Sequence, residues 1–158
     1  ACTRTTDKAT AERIARKHEA DAALRRDGVI DATLDAVSKE SQRAIESHLT
    51  DFENKLRAAG RGTEYVRTTA RYIREIAEAG EFGNAAAINA DAVTRFAGEL
   101  KHGGKSARTI QAYLTAIKGF TRWLASHHKL PRDPLSSLKK PNPKADRRRE
   151  RRMLLPEE

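Results

Sequence analysis

The chain has 158 residues and a formal net charge of +9, with 38% hydrophobic, 34% charged and 5% aromatic residues. This length fits one domain with an appendage, whose modest core must be built from aliphatic residues and alanine. No apolar run is longer than Ala85–Ile88, and Cys2 is the single cysteine. The sequence therefore excludes a membrane-spanning helix, a signal peptide and an internal disulfide framework, and it favours a reducing compartment.

Glycines at intervals, and the absence of proline before residue 131, predict a helical chain. No stretch alternates apolar and polar residues like a half-buried strand. The first predicted helix runs from about Asp7 to Arg26, with Thr6 as its N-cap and Gly28 as its stop. Its apolar positions are mostly alanine, so its sequence specifies burial only weakly.

The second predicted helix follows Ser38 and runs from about Lys39 to Ala59. The third begins after Gly62-Thr63 and ends at Gly80. Apolar residues at helical spacing give each of these helices one inner face. The inner faces consist of Ile45, Leu49, Phe52 and Leu56 in the second helix and of Val66, Ala70, Ile73 and Ala77 in the third.

Asn89 is the predicted N-cap of the fourth helix, and Gly103-Gly104 ends it. The fifth helix runs from near Ser106 to about His128 and has the richest apolar face of the chain. The inner faces are predicted to consist of Val93, Phe96, Ala97 and Leu100 in the fourth helix and of Ile110, Tyr113, Leu114, Ile117, Phe120, Trp123 and Leu124 in the fifth.

Short glycine-containing loops join the second to fifth helices, which predicts an all-α protein with a four-helix domain over residues 41–130. Residues 1–40 are predicted to form an N-terminal helical extension. Residues 131–158 contain all five prolines, and residues 129–158 carry 10 Lys and Arg against 5 Asp and Glu. This composition predicts an exposed, extended basic linker.

The sequence predicts neither a metal site nor a cofactor. None of the five histidines takes part in a His-x-x-x-His or Cys-x-x-Cys pattern. The stretch His102–Ser106 is similar to the end of a phosphate-binding loop, but Glu99 stands where that pattern needs glycine, and a helix precedes it where a strand is required. We therefore expect no nucleotide hydrolysis.

The outer face of the fifth predicted helix is basic and hydrogen-bonding, with no acidic residue, and the third helix presents an arginine row that predicts a second single-sign face. Because ordinary solvated helices mix charges to gain i,i+4 pairs, these faces favour a polyanion. Most aromatics fall on inner faces, which favours double-stranded DNA over a single strand. The residues concerned are Arg108, Gln111, Thr115, Lys118 and Arg122 in the fifth helix and Arg67, Arg71 and Arg74 in the third.

Two other functions are compatible with the same pattern. One is a helical protein-interaction module, in which the alanine-rich first helix forms the docking surface. The other is a helix-turn-helix regulator, which predicts a stable dimer and a palindromic site.

From Ile45 onward the sequence resembles the core-binding domain of tyrosine recombinases, the phage integrase family. The resemblance lies in IESHLTDFENKLRAAGRG from Ile45, in SARTIQAYLTAI from Ser106, in FTRWL from Phe120, and in the later Asp133-Pro134-Leu135. The end of the chain, from Arg151, is similar to the entry into the family's catalytic domain. Because the chain also starts at Ala1 without methionine, we expect it to be a piece of a longer protein.

The resemblance implies an orthogonal four-helix bundle of the SAM-like type that forms half of a clamp on duplex DNA. It implies that the third and fifth predicted helices approach the DNA grooves. We expect phosphate contacts to dominate, with limited base reading, in a cytoplasmic, nucleoid-associated protein. The predicted contact residues are Arg61, Arg67, Arg71, Lys105, Ser106, Arg108, Thr109, Gln111, Thr115, Lys118 and Arg122.

The family's chemistry needs a tyrosine nucleophile, two arginines, a lysine and a His-x-x-Arg element. No histidine of this chain has arginine three residues later, and Tyr65, Tyr72 and Tyr113 fall within predicted helices. We therefore expect a monomeric, non-catalytic fragment that binds DNA. Its further partners would be other recombinase protomers in the parent's assembly, with no membrane partner.

Overall fold

The computed structural model describes residues 7–28 and 32–142, which form six α-helices and one short 3₁₀ turn. Within these ranges no helix combines the length and the apolarity that crossing a bilayer requires. The helices are α1 (Lys8–Arg26), α2 (Ala32–Ser41), α3 (Ile45–Ala58), α4 (Thr63–Ala79), α5 (Ala90–His102) and α6 (Ala107–Ser126), and the 3₁₀ turn Ala85–Ala87 precedes α5. The all-α prediction is confirmed.

The predicted inner faces of α3, α4 and α6 are buried in one core. The α4–α6 pair makes the most extensive helix contact. Phe120, which is fully buried, meets the ring of Phe52 edge-on at 5.4 Å between centroids and stacks on Trp123 at 6.1 Å. In α5 Val93 is buried, whereas Phe96 is half-buried at the edge of the core. The helical periodicity therefore located the core.

The helix boundaries are confirmed where capping residues mark them. Asn89 caps α5 by accepting a hydrogen bond from the backbone N–H of Ala92, at 2.9 Å. Ser106 caps α6 through the N–H of Thr109. Asp7 caps α1, whereas the predicted cap, Thr6, lies outside the described residues.

The predicted helix from Lys39 to Ala59 is wrong as a single element. The chain leaves the helix after Ser41 and re-enters it at Ile45. In between, Ala44 pairs with Asn84 in an isolated antiparallel bridge, and the N–H of Ile45 donates to the carbonyl of Gly83 at 3.2 Å. This long-range backbone pairing replaces local helical hydrogen bonds, so Ser38 lies within α2 and does not cap α3.

The two N-terminal helices differ in their burial. Helix α1 has no buried residue among those described, in line with its alanine-rich sequence. The sequence prediction missed most of helix α2, because residues 32–38 lie between the first and second predicted helices, yet Val37 and Ser41 of α2 are buried. Lys129, after α6, forms an ion pair with Glu40 of α2 at 3.3 Å. The end of α2 thus packs on the bundle.

The prediction that the chain is exposed from residue 131 is wrong for the segment 130–142, which we call the strap. Leu135 is 0% exposed, and Leu130 is buried as well. Leu138 is half-buried against the core. These leucines pack the strap against the bundle, an outcome that the prolines and charges of the sequence concealed. The predicted basic run beyond the strap, 143–158, lies outside the described residues.

His48 of α3 is fully buried, with its Nε2 atom 2.9 Å from the backbone carbonyl oxygen of Glu40. Its other ring nitrogen, Nδ1, has no hydrogen-bond partner within the described part of the chain. Burial lowers the pKa of His48, because the charged imidazolium loses its hydration in the core. The neutral ring donates from Nε2 and ties α3 to the end of α2.

This buried histidine makes stability depend on pH. Unfolding restores the ordinary pKa of about 6.5, so the unfolded chain takes up a proton that the folded chain resists. We expect the free energy of unfolding to fall as the pH drops through about 6.5, by at most about 1.4 kcal/mol per pH unit. His48→Gln should remove this dependence in urea titrations between pH 7.5 and 5. An identical pH dependence in the variant would contradict the assignment.

Candidate nucleic-acid interface

A surface groove of about 540 Å³ lies between α4 and α6. One wall of the groove is formed by the N-terminal half of α4, and the other wall is formed by the N-terminal half of α6. The lining residues are Tyr65, Thr68, Thr69 and Tyr72 of α4 and Arg108, Gln111, Ala112, Thr115 and Ala116 of α6. The structure therefore places part of the α6 face singled out in the sequence on this surface feature, which we call the groove. Arg67 and Arg71 of α4 line an adjoining pocket that shares Thr68 with the groove.

The α6 wall carries cationic and hydrogen-bonding groups. Arg108 and Thr115 are exposed, and Gln111 is half-buried beside them. Arg122 continues the same face of α6 and is exposed. Among the described residues, no carboxylate lies within ion-pair distance of Arg108 or Arg122, and α6 itself contains no acidic residue. The basic, single-sign character predicted for this face is confirmed.

The exposed face of α4 beside the groove is different, and the prediction of a single-sign arginine row on that face is wrong. Arg67 pairs with Glu64 at 2.7 Å, and Arg71 lies 3.7 Å from Glu75. The hydrogen bond from Arg67 lowers the pKa of the Glu64 carboxyl. Helical spacings of three and four residues place each glutamate beside its arginine, a pattern visible in the sequence.

The third arginine of this row, Arg74, turns away toward α3. Its guanidinium contacts Glu46 at 3.1 Å and Glu53 at 3.0 Å. It therefore links α4 to α3 and takes no part in the groove.

Tyrosines contribute to the groove more than the sequence indicated. Tyr65 is 52% exposed at the groove, and the guanidinium of Arg61 lies 5.6 Å from its ring centre. Tyr72 lies deeper and stacks on Tyr113 at 4.1 Å. The exposure of Tyr65 could have been read from its place on the polar face of α4, one residue before the buried Val66.

Beneath the groove, Tyr113 of α6 donates a hydrogen bond to a carboxylate oxygen of Glu75 on α4. Burial and this hydrogen bond raise the pKa of Tyr113 to about 12, so the phenol stays protonated at neutral pH. Glu75 also faces Arg71, whose guanidinium lies 5.3 Å from the ring centre of Tyr72. This network fixes the two walls of the groove against each other.

Three predicted contact residues serve the fold itself. The hydroxyls of Ser106 and Thr109 lie 3.0 Å apart and complete the N-cap of α6. Lys118 donates from Nζ to the backbone carbonyls of Ser136, at 3.3 Å, and of Leu138. Lys105 lies exposed in the turn between α5 and α6, next to the cap.

No group of three His, Cys, Asp or Glu side chains in the described ranges is placed to hold a metal ion. The chemistry on offer at the groove is cationic, hydrogen-bonding and aromatic, without a cluster of carboxylates. Such a surface suits a ligand that carries phosphates and flat polar edges.

Comparisons with known proteins agree with this geometry. Residues 62–128 match the family model of the phage integrase N-terminal SAM-like domain. The match extends from the start of α4 to just beyond α6 and so contains both walls of the groove. Searches of curated proteins and of solved structures gave no match. Residues 62–128 are therefore similar to the N-terminal SAM-like domain of phage integrases, which supports a core-binding domain of the tyrosine recombinase type with a role in site-specific recombination.

Proposed function

We propose that this chain binds double-stranded DNA through the groove between α4 and α6 and performs no DNA cleavage itself. The observation that carries the proposal is the outer face of α6, where Arg108 at the groove and Arg122 beyond it have no carboxylate partner among the described residues. These two guanidiniums on one helix face, with Gln111 and Thr115 between them, offer groups that bind phosphates and base edges.

The exposed face of α4 beside the groove supports the same ligand, although its arginines are paired with glutamates and its net charge is therefore lower. Arg67 and Arg71 are exposed, and their glutamate partners lie on the surface. Exposed pairs of this kind contribute about 0–1 kcal/mol, so the arginines can exchange a carboxylate for a phosphate at little cost. Arg61 and Lys105 flank the groove at the two adjoining turns and would hold the neighbouring phosphates.

Base reading would be limited to the middle of α6. Gln111 can offer its amide to an adenine edge, and the Thr115 methyl suits a thymine methyl. Ser106 and Thr109 act through the N-cap of α6, the end of the helix at which Arg108 borders the groove. Most of the affinity would come from phosphate contacts, which carry no sequence information.

The proposed absence of cleavage is supported by the positions of the tyrosines. Tyr113 is buried and hydrogen-bonded to Glu75, and Tyr72 is stacked against it. Tyr65 is exposed but lies beside Arg61 without a histidine or lysine in the groove. We infer that the parent recombinase, acting with further protomers on nucleoid DNA, supplies the catalytic groups from elsewhere.

The proposal is tested by fluorescence anisotropy of a labelled 30-base-pair duplex, titrated with the whole chain between 50 and 200 mM salt. We expect duplex binding to exceed single-strand binding, with a log–log salt slope of about −3 to −6. Arg108→Ala should reduce the slope by about 0.9, the value for one phosphate. Arg95→Ala, which removes an exposed arginine of α5 outside the groove, is the matched control and should leave the slope unchanged.

Two results would count against the proposal. The first is an absence of duplex binding at 50 mM salt. The second is an equal effect of the Arg108 and Arg95 variants, since charge alone and not the groove would then determine binding.

A further inference from the structure

The strap is attached to α6 by side-chain and backbone contacts that the DNA groove does not use. Leu135 is 0% exposed, and its backbone N–H donates a hydrogen bond to the Asp133 carboxylate at 3.0 Å. The Nζ atom of Lys118 donates to the carbonyls of Ser136 and Leu138. Because the Lys118 ammonium donates to two strap carbonyls, it is already bound within the protein.

The strap runs antiparallel to α6. The carbonyls of Ser136 and Leu138 accept hydrogen bonds from Lys118. Further along the strap, Leu138 and Pro141 line a cavity together with Ile110 and Leu114, which lie one to two turns before Lys118 in α6. The strap thus proceeds toward the N-terminal end of α6. This is the end at which Arg108 borders the groove.

Three lysines meet at that end. Lys101 from the last turn of α5 and Lys139 and Lys140 from the strap line one open cavity of about 460 Å³. All three are exposed, and none has a carboxylate within ion-pair distance in the part of the chain that the structure describes. The rest of the cavity wall is largely apolar, with Ala97, Ile110, Leu114 and Leu138 among its residues.

We propose that the strap builds a second DNA-backbone contact beside the groove, formed by Lys101, Lys139 and Lys140, and that Lys118 is the positioning residue that holds it. This inference rests on the proposed DNA-binding function and adds to it a site outside the groove. Ammonium groups around an apolar floor suit the sugar–phosphate backbone, which presents anionic oxygens beside apolar sugar carbons. Lys118 then acts through the strap and touches no phosphate.

The first test compares the whole chain with its Lys139→Gln/Lys140→Gln variant in the same anisotropy titration. Both side chains are exposed, so the fold is expected to be unchanged. If each lysine neutralises one phosphate, the salt slope decreases by about 1.8. A slope equal to that of the unmodified chain overturns the inference. If Arg108→Ala still reduces the slope in that case, the groove proposal survives, and the two failures are distinguishable.

The second test assigns the role of Lys118 through a double-mutant cycle. Lys118→Met keeps the apolar stem and removes the donor to the strap carbonyls. If Lys118 acts through the strap, adding Lys118→Met to the Lys139/Lys140 variant weakens binding much less than it does in the unmodified chain. Fully additive effects would mean that Lys118 contacts phosphate directly, which overturns its positioning role.

Hydrogen exchange supplies a readout that DNA binding does not influence. In the free protein, Lys118→Met is expected to speed exchange of the amides of Leu135 and Leu138, while amides of α3 stay protected. Arg122→Ala, on the exposed face of the same helix, is the control and should leave strap exchange unchanged. Unchanged strap exchange in Lys118→Met would overturn the role of Lys118 as the holding residue.

Discussion

Phe120→Ala is expected to lower the free energy of unfolding by about 3–5 kcal/mol, the usual cost of removing a fully buried phenylalanine ring. Phe120 is 0% exposed and contacts the rings of both Phe52 and Trp123. Its removal leaves a cavity between α3 and α6 that rigid helices fill poorly. Since single domains have about 5–15 kcal/mol of stability, a large part of the total would be lost.

This change is measured by urea unfolding followed by far-ultraviolet circular dichroism. Leu34→Ala is the control, because Leu34 of α2 is 65% exposed and its truncation should change stability by no more than about 0.5 kcal/mol. A cost below about 1 kcal/mol for Phe120→Ala would show that this aromatic cluster is not the centre of the core.

Thr115→Glu is expected to weaken duplex binding by on the order of a hundredfold at 50 mM salt, equal to about 2.7 kcal/mol. Thr115 is exposed on the α6 wall of the groove, in the part of the helix that has no acidic residue. A carboxylate placed there would face DNA phosphates, and such like-charge contacts cost several kcal/mol. The loss should shrink as salt is added, because mobile ions screen the repulsion.

Thr115→Gln is the matched control, since glutamine has the length of glutamate without its charge. It should bind within a few-fold of the unmodified chain, and both variants should show the same helical circular dichroism. Thr50→Glu, on the exposed face of α3, repeats the charge change away from the groove. Equal binding by Thr115→Glu and Thr115→Gln would remove the groove from the DNA interface.

The helical architecture could be predicted from the sequence because its signals are local. The apolar stripe from Ile110 to Leu124 repeats with the helical period, and every predicted member of it is buried. Asn89 and Ser106 identify helix starts because their side chains accept hydrogen bonds from backbone N–H groups three residues later. The basic face of α6 could be predicted for the same reason, since side chains at spacings of three and four share one face.

The composition of the α4 face was predicted only in part. The same periodicity that aligned Arg67 with Arg71 also placed Glu64 and Glu75 beside them, so the sequence already contained the ion pairs. Tyr65 was not predicted as part of the binding surface, although it lies outside the predicted inner face of α4 and is 52% exposed. Which residues make up the groove depends on how α4 and α6 pack, and no local pattern specifies that.

The sequence by itself determined the helical class, the core and the basic face of α6, because periodicity and capping act within a few residues of chain. Only the tertiary structure decided the break between α2 and α3, where Ala44 pairs with Asn84 across forty residues. Only the tertiary structure, too, decided the position of the strap, whose prolines and charges indicate exposure although Leu135 is fully buried in the core. Such contacts join residues distant in the chain, so their energies leave no periodic signal in the sequence.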